Sequence, residues 1–200
     1  MATTTMSDRH PVLRDGDLDR VLERRGAVTC PWLGAEARVA LDAAVDALGL
    51  DGSSGFHDTA AAGRGFEERQ AVHELLVDSF AEPARRVLAD YQPVMSAVMT
   101  KWPGPGGEKT IHRDFQLVDE RRFRTVCVWV PLGDVDGDGG ALRVLPGSHL
   151  VPTGIRSVPR TPEHPPDPLR ALTMADLDAV PVAAGDAVVF DLAVVHGSDV

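Results

Sequence analysis

Two hundred residues with 44% hydrophobic content suffice for one domain with a real core, and a formal net charge of −10 with no basic stripe argues against a nucleic-acid binder, because nothing is arranged to neutralise phosphates. No apolar stretch approaches the roughly 18 residues of a membrane helix, and the polar segment Met1 to His10 lacks a signal peptide's apolar region, so it is expected to be a frayed tail, with Met6 an alternative start. Cys30 and Cys127 lie far apart, Cys127 inside an apolar run, and the expectation is two buried free thiols in a reducing cytoplasm rather than a disulfide.

In chain order, the first half reads as helical. Asp17 to Arg25 places Leu18, Val21 and Leu22 on one face and stops at Gly26. Ala35 to Leu48 repeats the pattern with Val39, Leu41, Val45 and Leu48. Asp51 to Gly65 is rich in Gly, Ser and Ala and reads as a loop long enough to serve as a lid. Glu67 to Tyr91 reads as one or two helices, with Pro83 marking a break or a new first turn.

The second half reads as strands. Val94 to Trp102 is short and apolar, and Phe123 to Pro131 holds the run Val126, Val128, Trp129 and Val130. Asp134 to Gly140 is an acidic, Gly-rich turn, followed by a strand over Ala141 to Leu145. Pro146 to Arg170 carries seven prolines and reads as a long surface loop. Thr173 can cap a short turn through Asp178; then Val180-Pro181-Val182, Gly185-Asp186 and Ala187 to Asp191 read as strand, tight turn and strand. No repeat and no linker is visible. The order predicts one domain over residues 1–200, mostly helical over 1–91 and strand-rich over 92–200: an α+β or mainly β fold, with helices packed on one sheet of an antiparallel sandwich or jelly roll.

The chemistry concentrates in His112-Arg113-Asp114 and, 82 residues past Asp114, His196. On a strand, side chains two apart share a face, so His112 and Asp114 can reach one ion while Arg113 points away. His196, at the end of the apolar run Ala187 to Val195, can be brought to the same ion by strand pairing. Two imidazoles and one carboxylate suit Fe(II) and leave three positions open. Zn(II) would also bind such a set, but a closed zinc site needs a fourth His or Cys.

Four further segments accompany this trio in order: His112 to Phe115 (HRDF) is followed by Val128 to Leu132 (VWVPL), Gly139 to His149 (GGALRVLPGSH), Ala184 to Phe190 (AGDAVVF) and His196 to Ser198 (HGS). Across these ~90 residues the chain resembles the phytanoyl-CoA dioxygenase-like group of Fe(II)/2-oxoglutarate oxygenases. The resemblance implies a double-stranded β-helix fold with His112, Asp114 and His196 as iron ligands. It also implies that Trp129 lines the 2-oxoglutarate site, although a core Trp is an equally good reading. The activity implied is oxidation of a small molecule with O₂, releasing succinate and CO₂. Asp114 stands where related halogenases have a small residue, which implies hydroxylation or another oxidation. His149 is not expected to be a ligand: Pro146 and Gly147 suit a turn, and Ser148 can bond backbone. His10, His57, His73 and His164 are expected to be solvated or locally bonded, with His57 the best placed of them for substrate contact.

The resemblance further implies an Arg about ten residues after the distal His, gripping the far carboxylate of 2-oxoglutarate through its planar fork. That position, like the closing strands, would fall beyond Val200. The expectation is a C-terminally truncated chain. The alternatives are a natural truncation in which Lys101, Arg124 or Arg143 holds the co-substrate, and a non-catalytic metal- or ligand-binding jelly-roll module.

Overall fold

The computed structural model describes residues 10–49, 55–60, 65–102, 105–120, 122–137, 140–156 and 168–199. Among the described residues three α-helices, α1 (Gly16–Arg25), α2 (Ala35–Asp46) and α3 (Phe66–Val87), precede most of the nine strands. The strands are β1 (Ala27–Pro31), β2 (Gly55–Asp58), β3 (Met99–Trp102), β4 (Lys109–His112), β5 (Val126–Trp129), β6 (Leu142–Leu145), β7 (Asp178–Ala179), β8 (Asp186–Asp191) and β9 (Val195–Ser198).

The helix ends follow local chemistry. The Asp15 carboxylate accepts from the N–H groups of Asp17 and Leu18 and starts α1; Gly26, at φ 81°, ends it. In α3 the expected break at Pro83 does not occur. The helix runs through it, because Pro83 is itself buried and Leu76, Phe80, Ala84 and Val87 on either side all pack into cores. That burial offsets the ~3 kcal/mol a mid-helix proline costs. The helix also stops short of Tyr91. Leu88 turns extended and bridges Leu13, and the Ala89 N–H donates to the Val12 carbonyl.

All strand pairing is antiparallel. The sheets run β1-β8-β5, β2-β3 and β4-β9-β6-β7. β8 is buried on both faces, and the alternation of a strand sorts its residues. Ala187 and Val189 pack with Leu13, Leu22, Val28, Cys30 and Trp32 against α1 and α3. Val188 and Phe190 pack with Val144, Val194 and the half-buried Trp129 and Leu142, between the three-stranded and four-stranded sheets. The order of layers is therefore helices, first sheet, second sheet. A third cluster, around Leu41, Val72 and Leu76, joins α2 to α3.

Several expected elements move. β1 lies in the half expected to be mostly helical, and Ala27 to Pro31 forms the full register with Phe190 to Asp186. Gly55 to Asp58, read as part of a loop, pairs as a strand with Trp102 to Met99; residues 51–54 and 61–64 of that loop lie outside the described residues. Val94 to Trp102 is a strand only from Met99, with Val94 and Met95 exposed. The stretch Val180 to Val182 makes a single bridge, between Val135 and Val182. Of the long loop Pro146 to Arg170, residues 157–167, including His164, lie outside the described residues. Among the described residues no helix is long and apolar enough to cross a membrane.

Candidate metal centre

The site is built where β4 meets β9. Lys109 pairs with Ser198 and His112 with His196, so β4 carries two residues between its pairs where β9 carries one. This is a β-bulge. Continued regularly from Lys109, the ladder would set Ile111 opposite His196. The extra residue sets His112 there instead, and directly opposed residues share a face. The two imidazole centroids lie 4.3 Å apart, and Phe190 of the inter-sheet core backs His196 at 4.9 Å.

Gly197 fits against the bulge. A Cβ there would lie 3.0 Å from the Lys109 carbonyl oxygen and 2.9 Å from Met174 Cε. Asp114 stands just past β4. Its N–H donates to the Leu192 carbonyl at 3.2 Å, and its own carbonyl accepts from Arg156 Nε at 2.8 Å. The Arg156 guanidinium is in turn paired with Glu120 at 2.5 and 2.7 Å.

These elements bring one ligand atom each from His112, Asp114 and His196 within 4.8 Å of one another. Asp114 Oδ1 is 3.5 Å from His112 Nε2, and Oδ2 is 3.8 Å from His196 Nε2. The other imidazole nitrogens are engaged: His112 Nδ1 lies 2.6 Å from the Thr110 carbonyl and His196 Nδ1 3.0 Å from that of Val194. A carbonyl only accepts, so each Nδ1 carries the proton and each neutral ring presents its Nε2 lone pair toward Asp114. The His196 side chain is 7% exposed, while His112 and Asp114 keep 27% and 29%, so the group opens to solvent on one side.

The electrostatics agree with a cation site. Burial, then the neighbouring His112, pushes His196 down to about 4, against the pull of Asp114 and the Val194 carbonyl, with Lys109 adding to the depression. Burial raises the Asp114 carboxyl, but the His112 ring, which donates to it only when protonated, and the fields of His196, His112 and Lys109 outweigh it and hold the group below the usual carboxylate range. A carboxylate between two inward lone pairs needs a positive charge, which a divalent ion supplies. Two borderline nitrogens and one hard oxygen suit Fe(II).

The PGSH segment supplies no ligand here. His149 Nε2 donates to the Glu23 carbonyl at 3.0 Å, at the C-terminal end of α1, and the Gly147 N–H donates to Arg25 at 3.0 Å. Ser148 is buried and accepts from the Val195 N–H at 2.8 Å. The remaining histidines fall elsewhere: His10 is exposed, His73 contacts Ser96, and His57 stands opposite Thr100 on β2.

The candidate cations divide. Arg143 stands opposite Gly197, one residue off the face shared by Val144 and His196, so it projects from the other side of the sheet. There it pairs with Asp199 at 2.7 Å. This register sets Arg143 off the face that carries His196. Arg124 is buried against Asp191 at 3.5 Å. Lys101 reaches Ser198 Oγ at 2.8 Å, the Gly140 carbonyl at 3.4 Å and the Asp199 carbonyl. Ser198 lies two residues beyond His196 and so on its face. Burial lowers the Lys101 ammonium, with Asp199 and Glu108 opposing. Trp129 is half-buried on β5, packed into the inter-sheet cluster that holds Phe190. Lys109, Gly197, Arg156 and Glu120 carry no sequence signal of their own; only the bulge and the loop contacts mark them.

Comparisons with known proteins agree with this layout. Among curated proteins none matches the chain. AviO1 from Streptomyces viridochromogenes Tue57 is 25% identical with a TM-score of 0.58, over 99% of this chain and 89% of its own. EvdO2 from Micromonospora carbonacea var. aurantiaca, solved in complex with 2-oxoglutarate, is 21% identical with a TM-score of 0.61, over 94% of this chain and 86% of its own. HygX from Streptomyces hygroscopicus, solved with nickel, 2-oxoglutarate and hygromycin B bound, is 16% identical with a TM-score of 0.55, over 92% and 80%. The last two likenesses speak for the fold. The sequence model of the family described as phytanoyl-CoA dioxygenase (PhyH) matches residues 13–199, nearly the whole described chain, and this protein belongs to that family.

Proposed function

We propose that this protein is an Fe(II)- and 2-oxoglutarate-dependent oxygenase of a small-molecule substrate, with His112, Asp114 and His196 as the iron ligands. The observation that carries the reading is the convergence of two Nε2 lone pairs and one carboxylate, with both Nδ1 atoms tied to backbone carbonyls. Family membership supports it, as do the 2-oxoglutarate held by EvdO2 and the nickel, 2-oxoglutarate and hygromycin B held by HygX. The facing antiparallel sheets with helices on the outer side of one fit a double-stranded β-helix, formed here as one domain.

When bound, iron and 2-oxoglutarate supply the oxidising chemistry, consuming O₂ and releasing succinate and CO₂. The chain's part is to hold and orient. Asp114 occupies the position that halogenases leave to halide, which favours hydroxylation or a related oxidation. Trp129 and Phe190 form an apolar wall that keeps water from the buried side. Lys101 is the proposed anchor for the far carboxylate of 2-oxoglutarate: its ammonium is partly desolvated and sits by Ser198, on the face of His196.

The test is an anaerobic titration with Fe(II) and then 2-oxoglutarate, following the visible charge-transfer band of the chelate. A saturable band that is lost in Asp114→Ala and His196→Ala is the expected result. An equal band in those variants, or none in the wild type, overturns the reading.

A further inference from the structure

One residue outside the ligand set is bonded to both segments that deliver it. Ser148 opens a 3₁₀ turn directly after Gly147, which is at φ 77°, and is 6% exposed. Its hydroxyl oxygen accepts from the N–H of Val195, the residue immediately before His196, at 2.8 Å. Its carbonyl accepts from Arg113 Nη2, the residue between His112 and Asp114, at 2.9 Å. The turn is itself held from behind, since Gly147 donates to Arg25 and His149 to Glu23 at the end of α1.

Two strand ends far apart in sequence are thus tied to one point that α1 fixes. Val195 is the first residue of β9, where a strand otherwise frays, and its N–H is satisfied by a side chain rather than by the ladder. The bond needs a side-chain acceptor. Any residue at 148 would offer the carbonyl to Arg113, but Ala has nothing to accept from Val195, whereas Thr keeps the oxygen at the same position on Cβ.

We propose that Ser148 is a positioning residue of the metal centre, holding the segment that enters His196 and the arch between His112 and Asp114 in one frame so that the three ligand atoms stand together before an ion arrives. The inference rests on the reading of those three residues as metal ligands. A ligand set held in place binds an ion without first losing backbone freedom, and partners of this outer kind are worth about 10–100-fold in metal affinity.

The test uses Co(II) as the probe ion, read by its visible d–d spectrum and by competition with a chelator, beside thermal melts of the metal-free forms. Ser148→Ala is expected to lose about 10–100-fold in Co(II) affinity and to show an altered d–d envelope, while Ser148→Thr recovers most of both. Arg113→Met, which removes the other link, is expected to shift the spectrum in the same way and carries the test if Ser148→Ala does not fold. A Ser148→Ala protein that melts lower yet keeps wild-type Co(II) affinity and spectrum would make Ser148 a fold residue only and end the proposal. Failure of the ligand reading looks different: the wild type itself does not bind Co(II), or His196→Ala binds it as well as the wild type.

Discussion

His112 stands opposite His196 because β4 carries one more residue than β9 between the Lys109–Ser198 pair and the pair of histidines. The bulge is accommodated by Gly197, whose Cα faces the Lys109 carbonyl and Ile111. Met174 can swing away from an added methyl, but the Lys109 backbone cannot without moving β4. Gly197→Ala is therefore expected to cost about 1–3 kcal/mol of stability and to separate the two imidazoles. Chemical denaturation gives the first, and a fall in Co(II) affinity beyond that of Gly34→Ala, where an added methyl meets nothing within 4 Å, gives the second.

Two of the three cations named for the co-substrate, Lys101 and Arg143, make opposite predictions. Lys101→Met is expected to weaken 2-oxoglutarate binding at least tenfold, since a desolvated charge beside the site is lost. Arg143→Met, off the face of His196 and paired with Asp199, is expected to leave that affinity within about twofold, the range for a site that shares no partner with the ligands. Titration of both variants under anaerobic Fe(II) separates them, and equal effects would refute the face assignment.

Asp191 and Arg124 form a buried pair, their side chains 12% and 6% exposed, and Asp191 also accepts from the Ala193 N–H at 2.8 Å. Removing the carboxylate leaves a guanidinium buried without its counter-charge. Asp191→Ala is expected to lose about 3–5 kcal/mol in urea denaturation. The double variant Asp191→Ala/Arg124→Met should recover part of that loss, and a loss under 1 kcal/mol in the single variant would show that water reaches Arg124.

Burial, and then the charge of Asp114, pushes the Cys127 thiol up to about 12, and burial, then Asp186, raises Cys30 as well, against a pull from Arg86. Of the two thiols expected to be buried, Cys30 is and Cys127 is half-buried; the thiolate is the reactive form and is disfavoured in both, so both are expected to resist alkylation at pH 8 in the folded protein and to react quickly in urea. The sign for stability follows. The unfolded Cys127 ionises near 9.0 and the folded one near 12, so its contribution is complete below pH 9 and drains away as pH rises through that window. Rapid labelling of native protein at pH 8 would contradict the burial.

What could be read from the residues was whatever depends on local pattern. The capped α1, the β-branched run of β5, the apolar β8 and the pairing of HxD with a distant HGS all announce themselves over a few positions. The ladder offset was not legible, because a bulge is a count between partners and a single strand does not state its partner. The same gap hid the side taken by Arg143, which depends on register, and the strands β1 and β2, whose four or five residues are too short to establish a period. Pro83 misled because a local rule was overridden by the packing of residues on both flanks.

Each of the two facing rings is tethered to the carbonyl two positions upstream, His112 to Thr110 within β4 and His196 to Val194 just before β9. The tether is main chain at one end in both cases, so which nitrogen carries the proton depends on the backbone path at 110 and 194 and not on the side chains there, although Val194 is itself fixed in the inter-sheet core. The proposed seat of the ion is thereby defined by the course of the backbone, and it would survive a change of side chain at either tethering position that leaves the main chain where it is.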